Sequence, residues 1–190
     1  MSTYARARQR TENRLLDATL TCLLRDGYQR LTVTAIAEAA DVGRGTFYQY
    51  FHNADDALLT VAGRYFTHMQ AEAHAMMAQY ESPEKEIRAW QMAYEHAHAL
   101  KPLFVMLADP DASGLARRFQ QVMIAGFEQS LSMDAFQYPT WMALPLDVMA
   151  TFSAGAVFAL MQRWLAGELD YSASEMAAMT YKLLYHQPPG

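Results

Sequence analysis

Within six residues the chain sets Arg44, Gly45, Thr46, Tyr48 and Gln49. A guanidinium, a hydroxyl, a phenol and an amide bring the donors and acceptors that suit phosphate oxygens and base edges in a duplex groove. Such chemistry needs a support that keeps these positions outward. Val33, Ile36, Ala37, Val42, Phe47 and Phe51 fall at spacings that bury one side of two short helices, and Ala37 and Ala40 let those helices approach closely. The first starts after Thr32 and ends at Asp41; the second begins near Gly43 and Arg44 and runs to Phe51. The link between them, Asp41-Val42-Gly43, has the length of a tight helix-turn-helix.

Other chemistries lack their residues. His96 and His98 are two apart on one helix and point in different directions, and no histidine pair has metal-ligand spacing. A nucleophile motif, a phosphate-binding glycine loop and a paired-carboxylate arrangement are all missing, so neither an enzyme nor a cofactor is expected. The one cysteine, Cys22, sits among Leu20, Leu23 and Leu24 and reads as a small buried hydrophobe.

The elements around the motif are helical almost throughout, because windows rich in Ala, Leu, Met, Gln and Glu repeat apolar residues three and four apart. A first helix is expected from about Glu12 to Asp26, capped by Thr11 and stopped by Gly27. Asn53 caps a long helix to about Tyr80, with Asp55 and Asp56 in its first turn. Ser82-Pro83-Glu84 starts another to about Leu100, and Lys101-Pro102 and Asp109-Pro110 mark breaks. Further helices are expected at 113–131, 145–166 and 172–186, with a loop through Tyr138-Pro139 and a separator at Gly167.

The 190 residues are 52% hydrophobic and 18% charged, a globular balance with room for two domains. The fold class is all-α: a head of residues 1–53 and a body of residues 54–190. Net charge is −5. Its distribution is lopsided: residues 1–53 carry a net +2 and the remainder −7. An acidic body would repel nucleic acid and leave the basic head to approach it. Asp147 and the pair Gln162 and Arg163 bracket the most apolar stretch, which reads as too short for a bilayer. Met1 to Arg14 has no apolar block of a secretory signal, so a cytoplasmic protein is expected.

The run from Leu31 to Phe51 resembles the helix-turn-helix of the TetR family: a Thr opening the second helix, an Ile-Ala pair, a Val in the turn, Gly-Thr-aromatic-Tyr, and a closing Phe before an acidic helix start. The resemblance covers about residues 11–60. It implies that Thr32, Tyr48 and Tyr50 anchor phosphates and that Thr34, Arg44, Gly45, Thr46 and Gln49 face base edges. Arg6, Arg8 and Arg10 precede the first helix and form either a flexible arm on DNA or a solvated tail. Three residues depart from the family pattern. Asp41 replaces a Gly in the turn, which its tolerance of left-handed backbone permits; Gly43 replaces a capping Ser or Thr; and Ala54 replaces a phosphate-reaching Lys.

Behind the head, the resemblance and the small-beside-large pattern of the last two helices imply a homodimer through Gly155, Ala156, Ala159, Leu160, Arg163, Trp164, Met176, Met179 and Leu183. Met and aromatic residues suit a pocket for a bulky hydrophobic or aromatic small-molecule effector. The candidates are Tyr65, Phe66, Met69, Tyr94, His98, Phe104, Phe119, Met123, Phe127, Trp141, Met149 and Phe152, although apolar residues at helical spacing more often pack as core than meet a ligand. The expected function is a repressor that binds a palindromic DNA operator and is released by its ligand, coupled through the long helix from Asn53 to about Tyr80. An activator or ligand-independent regulator with the same head is one alternative. A helical carrier or protein-interaction module without DNA binding is another.

Overall fold

The computed structural model describes residues 3–107, 113–132 and 144–185. Among these residues there are nine α-helices, one short 3-10 turn and no strand: α1 (Thr3–Asp26), the turn Tyr28–Arg30, α2 (Val33–Ala39), α3 (Arg44–Phe47), α4 (Ala54–Met77), α5 (Glu84–Ala99), α6 (Lys101–Leu107), α7 (Ser113–Ser132), α8 (Leu146–Leu165) and α9 (Ala173–Tyr185). The chain forms two compact units, Met1–Arg64 and Tyr65–Gly190, with the boundary inside α4.

In the first unit, α1 buries Leu15, Leu16, Ala18, Thr19, Cys22 and Leu23, a stripe at helical spacing. The Thr19 hydroxyl donates to the Leu15 carbonyl, which satisfies it in the core. Burial pushes the Cys22 thiol above its ordinary range, as befits an inert packing residue. Gly27 ends the helix at φ +77°, its N–H reaching the Leu23 carbonyl at 3.0 Å. The start differs from expectation. α1 begins at Thr3, and Thr11 donates back to the Ala7 carbonyl instead of capping. Ala, Arg and Gln in this stretch are strong helix formers, and Gln9 adds hydrogen bonds to Glu12 and Asn13 one turn on.

The second unit pairs α5 with α9 and α7 with α8, and α6 also packs on α8. α6 replaces what Pro102 suggested was a break, because proline fits the first turn of a helix, where no intrahelical N–H bond is needed. Ser172 and Glu175 form a reciprocal cap at the start of α9: Glu175 accepts from the Ser172 N–H, and the Glu175 N–H donates to the serine hydroxyl. The carboxyl of Glu175 is held below its ordinary range by the Ser172 N–H and then by its hydroxyl. By length and composition α8 could cross a membrane, contrary to the shorter stretch expected. One side of it is buried, through Ala150, Ser153, Ala154, Val157, Phe158, Met161 and Leu165.

Candidate nucleic-acid interface

The recognition turn is built from local signals. Thr32 adopts extended backbone and its hydroxyl oxygen accepts the Ala35 N–H at 3.1 Å, capping α2 and leaving the hydroxyl proton for another acceptor. Asp41 takes the left-handed conformation at φ +50°, as the sequence requires of a non-glycine turn residue. Arg14 of α1 holds that turn: its Nη2 donates to the carbonyls of Ala40 and Asp41 and lies 3.3 Å from Asp41 Oδ2. A cation at this spot complements the carbonyl end of α2.

Gly43 then starts α3 without a side-chain cap. The helix proper is a single turn ending at Phe47, shorter than expected. Residues 48–50 continue it as tightened turns, in which Gln49 and Tyr50 donate to carbonyls three residues back. Ile36, Ala37, Ala40 and Phe47 are buried between α2 and α3. Thr32, Thr34, Arg44, Gly45, Tyr48 and Gln49 are exposed, Tyr48 at 55%. Thr46 is half-buried, so its reach outward is smaller than expected. A Cβ at Gly45 would meet nothing within 4 Å, so internal packing does not demand a glycine. What it leaves open is close approach of an outside molecule to the backbone.

The arginines lie on the N-terminal extension of α1 and are not a loose arm. Arg6, Arg8 and Arg10 are exposed and helical. Arg8 sits 5.8 Å above the half-buried Tyr50 ring, tying the extension to the recognition turn through a cation–π contact. At the entry to α4, the Asn53 side chain accepts from the Asp56 N–H at 2.8 Å, the expected cap. Asp56 in turn accepts from the His52 N–H at 3.1 Å. Tyr28 donates to Asp55, and Arg64 pairs with both Glu12 and Asn13 at 2.7 Å, fastening the first part of α4 to α1.

The body candidates separate into distinct groups. Phe104 and Phe119 pack with Phe158, and Met123 is buried. Phe66 lies against Phe127, which stacks on Trp90. Met69 and Met149 are half-buried. Tyr65 is bonded to His96 Nδ1 at 2.8 Å, and His96 Nε2 lies 3.5 Å from Glu72. Tyr94 is fully buried and bonded to Thr180 at 2.8 Å. His98 and Phe152 are exposed, Phe152 at 65%, so neither lines an interior site. Trp141 lies outside the described residues. Sequence reasoning missed Trp90 and Glu86, both buried; Trp90 at i+4 from Glu86 was a detectable signal.

Of the pairing candidates, Leu183 is 68% exposed, Ala159 is exposed, and Gly155, Ala156, Leu160 and Met179 are half-buried. Met176 is 2% exposed and packs inside its own subunit. Trp164 donates to the Tyr171 carbonyl and meets Tyr94 and His98, while the exposed Arg163 pairs with Glu168 at 2.8 Å. The sequence had not singled out Val148, 50% exposed, one turn before Phe152 on the same side of α8.

Along the chain a tight helix-turn-helix with an outward polar set precedes a set of packed helices. Residues 15–59 match the model of the bacterial regulatory proteins of the tetR family. That match covers the helix-turn-helix and the start of α4. It is 27% identical over 133 residues to the HTH-type transcriptional repressor KstR of Mycolicibacterium smegmatis, covering 66% of this chain and 65% of that protein. The match thus spans slightly less than two thirds of the repressor's length. Among solved structures, Thermus thermophilus FadR in complex with lauroyl-CoA aligns with a TM-score of 0.63 at 21% identity, covering 94% of this chain and 98% of that one. RolR in complex with resorcinol aligns with a TM-score of 0.64 at 21% identity, covering 96% and 91%. These two likenesses establish the fold.

Proposed function

We propose that this protein is a cytoplasmic transcriptional repressor, not an enzyme, that binds a palindromic operator as a homodimer and releases it when the body takes up a small hydrophobic or aromatic molecule. The observation that carries the reading is the exposed set Thr32, Thr34, Arg44, Gly45, Tyr48 and Gln49 around a turn that Arg14 and the buried Phe47 hold rigid. Tyr48 and Thr32 anchor phosphates, and Arg44, Thr34, Gln49 and the Gly45 backbone meet base edges. Repression is supported by the resemblance to KstR. Ligand release is supported by the like-folded FadR and RolR, one bound to lauroyl-CoA and the other to resorcinol.

Pairing is supported by exposed apolar residues on the last two helices, Phe152 and Leu183 above all. One recognition turn reads one half-site, and a two-fold pair places two of them about 34 Å apart, one turn of DNA. Ligand binding acts through α4, which runs from the recognition turn into the body, by favouring one of two head spacings. Fluorescence anisotropy against random and selected duplexes tests the assignment. Binding that falls steeply with salt and is weakened equally on all sequences by Tyr48→Ala is expected. Affinity unaltered by that substitution removes its role.

A further inference from the structure

Glu86 stands apart from every other carboxylate in the described body. It is 3% exposed, and its two oxygens fare differently. Oε1 accepts the Ser82 hydroxyl at 2.6 Å and has Lys85 Nζ at 4.0 Å. Oε2 is buried with no hydrogen-bond partner. A position in the first turn of α5 accounts for an acidic residue, since the helix N-terminus favours negative charge. It does not account for burial: an exposed carboxylate would serve the helix as well and keep its water.

Trp90 lies one helical turn on, hence on the same side of α5, and is itself buried. Its ring stacks on Phe127 of α7 at 6.0 Å, and Phe127 lies 6.4 Å from Phe66 of α4. A half-satisfied buried carboxylate on the helix side that carries Trp90 is costly for folding and well suited to one kind of visitor. An ammonium group gains a charge-assisted hydrogen bond from the oxygen and attraction from an indole face. A carboxylate or phosphate is repelled.

We propose that Glu86 anchors a positively charged nitrogen carried on an apolar or aromatic ligand, with Trp90 and Phe127 receiving the apolar frame. The proposal rests on the ligand-responsive reading above and names the ligand's chemistry. Glu86 Oε2 accepts from the ammonium, while Oε1 stays with Ser82, which fixes the carboxylate's orientation. The arrangement selects amines over acids of the same shape.

The test uses the full chain and three isosteric probes: 4-phenylbutylamine, 4-phenylbutanol and 4-phenylbutyrate. Calorimetric titration should find the amine bound at least about tenfold more tightly than the other two. Glu86→Gln and Glu86→Leu should each abolish that preference. Without any probe, Glu86→Leu should melt at or above the wild-type temperature, because it removes a buried charge lacking a full set of partners. A purely structural carboxylate gives the opposite: both variants melt well below wild type, and the proposal falls. It falls as well if the amine preference survives either substitution, or if none of the probes binds. Tight binding of the alcohol or the acid with release of DNA overturns the charge assignment while leaving the ligand-responsive reading standing.

Discussion

Arg14→Met keeps the apolar stem of the side chain and removes its charged end, so it isolates what the guanidinium does for the recognition turn. That group donates to the carbonyls of Ala40 and Asp41 and pairs with the Asp41 carboxylate. The two side chains of the pair are 51% and 100% exposed, so the ion pair contributes about 0.5 kcal/mol at most. The two carbonyl bonds at the end of α2 add about 0.5 kcal/mol each after the same discount for solvent. The turn should therefore loosen by about 1–1.5 kcal/mol, and amide hydrogen exchange is the direct assay. Val42 and Phe51, whose N–H groups bond to Ala37 and Phe47, should exchange about ten times faster. DNA affinity should fall while its salt dependence stays constant, because Arg14 supports the turn and does not sit on a phosphate. Exchange unchanged within about twofold refutes the supporting role. A salt slope reduced by about 0.9 shows that Arg14 contacts the duplex instead.

Three further outcomes follow from the body. Gly126→Ala places a methyl group against the Phe66 ring and should destabilise the body by about 1–3 kcal/mol in urea melts, with recovery in the Gly126→Ala, Phe66→Leu double variant. Leu183→Glu, at an exposed position, should leave the helical circular-dichroism signal intact and shift light scattering from dimer to monomer; an unchanged mass places pairing elsewhere. The folded Glu175 carboxyl titrates below its ordinary value, so its cap stabilises α9 above the unfolded pKa and the contribution is lost as pH falls through the lower, folded one. Glu175→Gln should accordingly lower the melting temperature at pH 7, and by progressively less as pH falls through the folded value.

What the sequence made legible was local. Gly27, Asn53 and Gly167 announce helix ends because a left-handed backbone or a short polar side chain serves there and few alternatives do. The three-residue turn and the left-handed Asp41 follow from the same kind of signal. The extension of α1 was illegible because residues 3–10 lack an apolar stripe; their helicity comes from propensity and side-chain bonds, and a run of arginines looks like a tail. α6 was hidden by Pro102, which punctuates a sequence whether it ends a helix or begins one. Tyr94 and Met176 needed the fold itself. A tyrosine bonded to Thr180 from another helix and a tyrosine facing a ligand have the same spacing, and only packing decides which one is buried.

Selection of bound duplexes from a random pool, carried out in parallel with wild type, Arg44→Ala and Gln49→Ala, tests the recognition turn most directly. The account predicts an inverted repeat with half-sites one helical turn apart, and preferences altered within each half-site by either substitution. A pool that shows no enrichment, or that yields the same sequence for all three proteins, contradicts it.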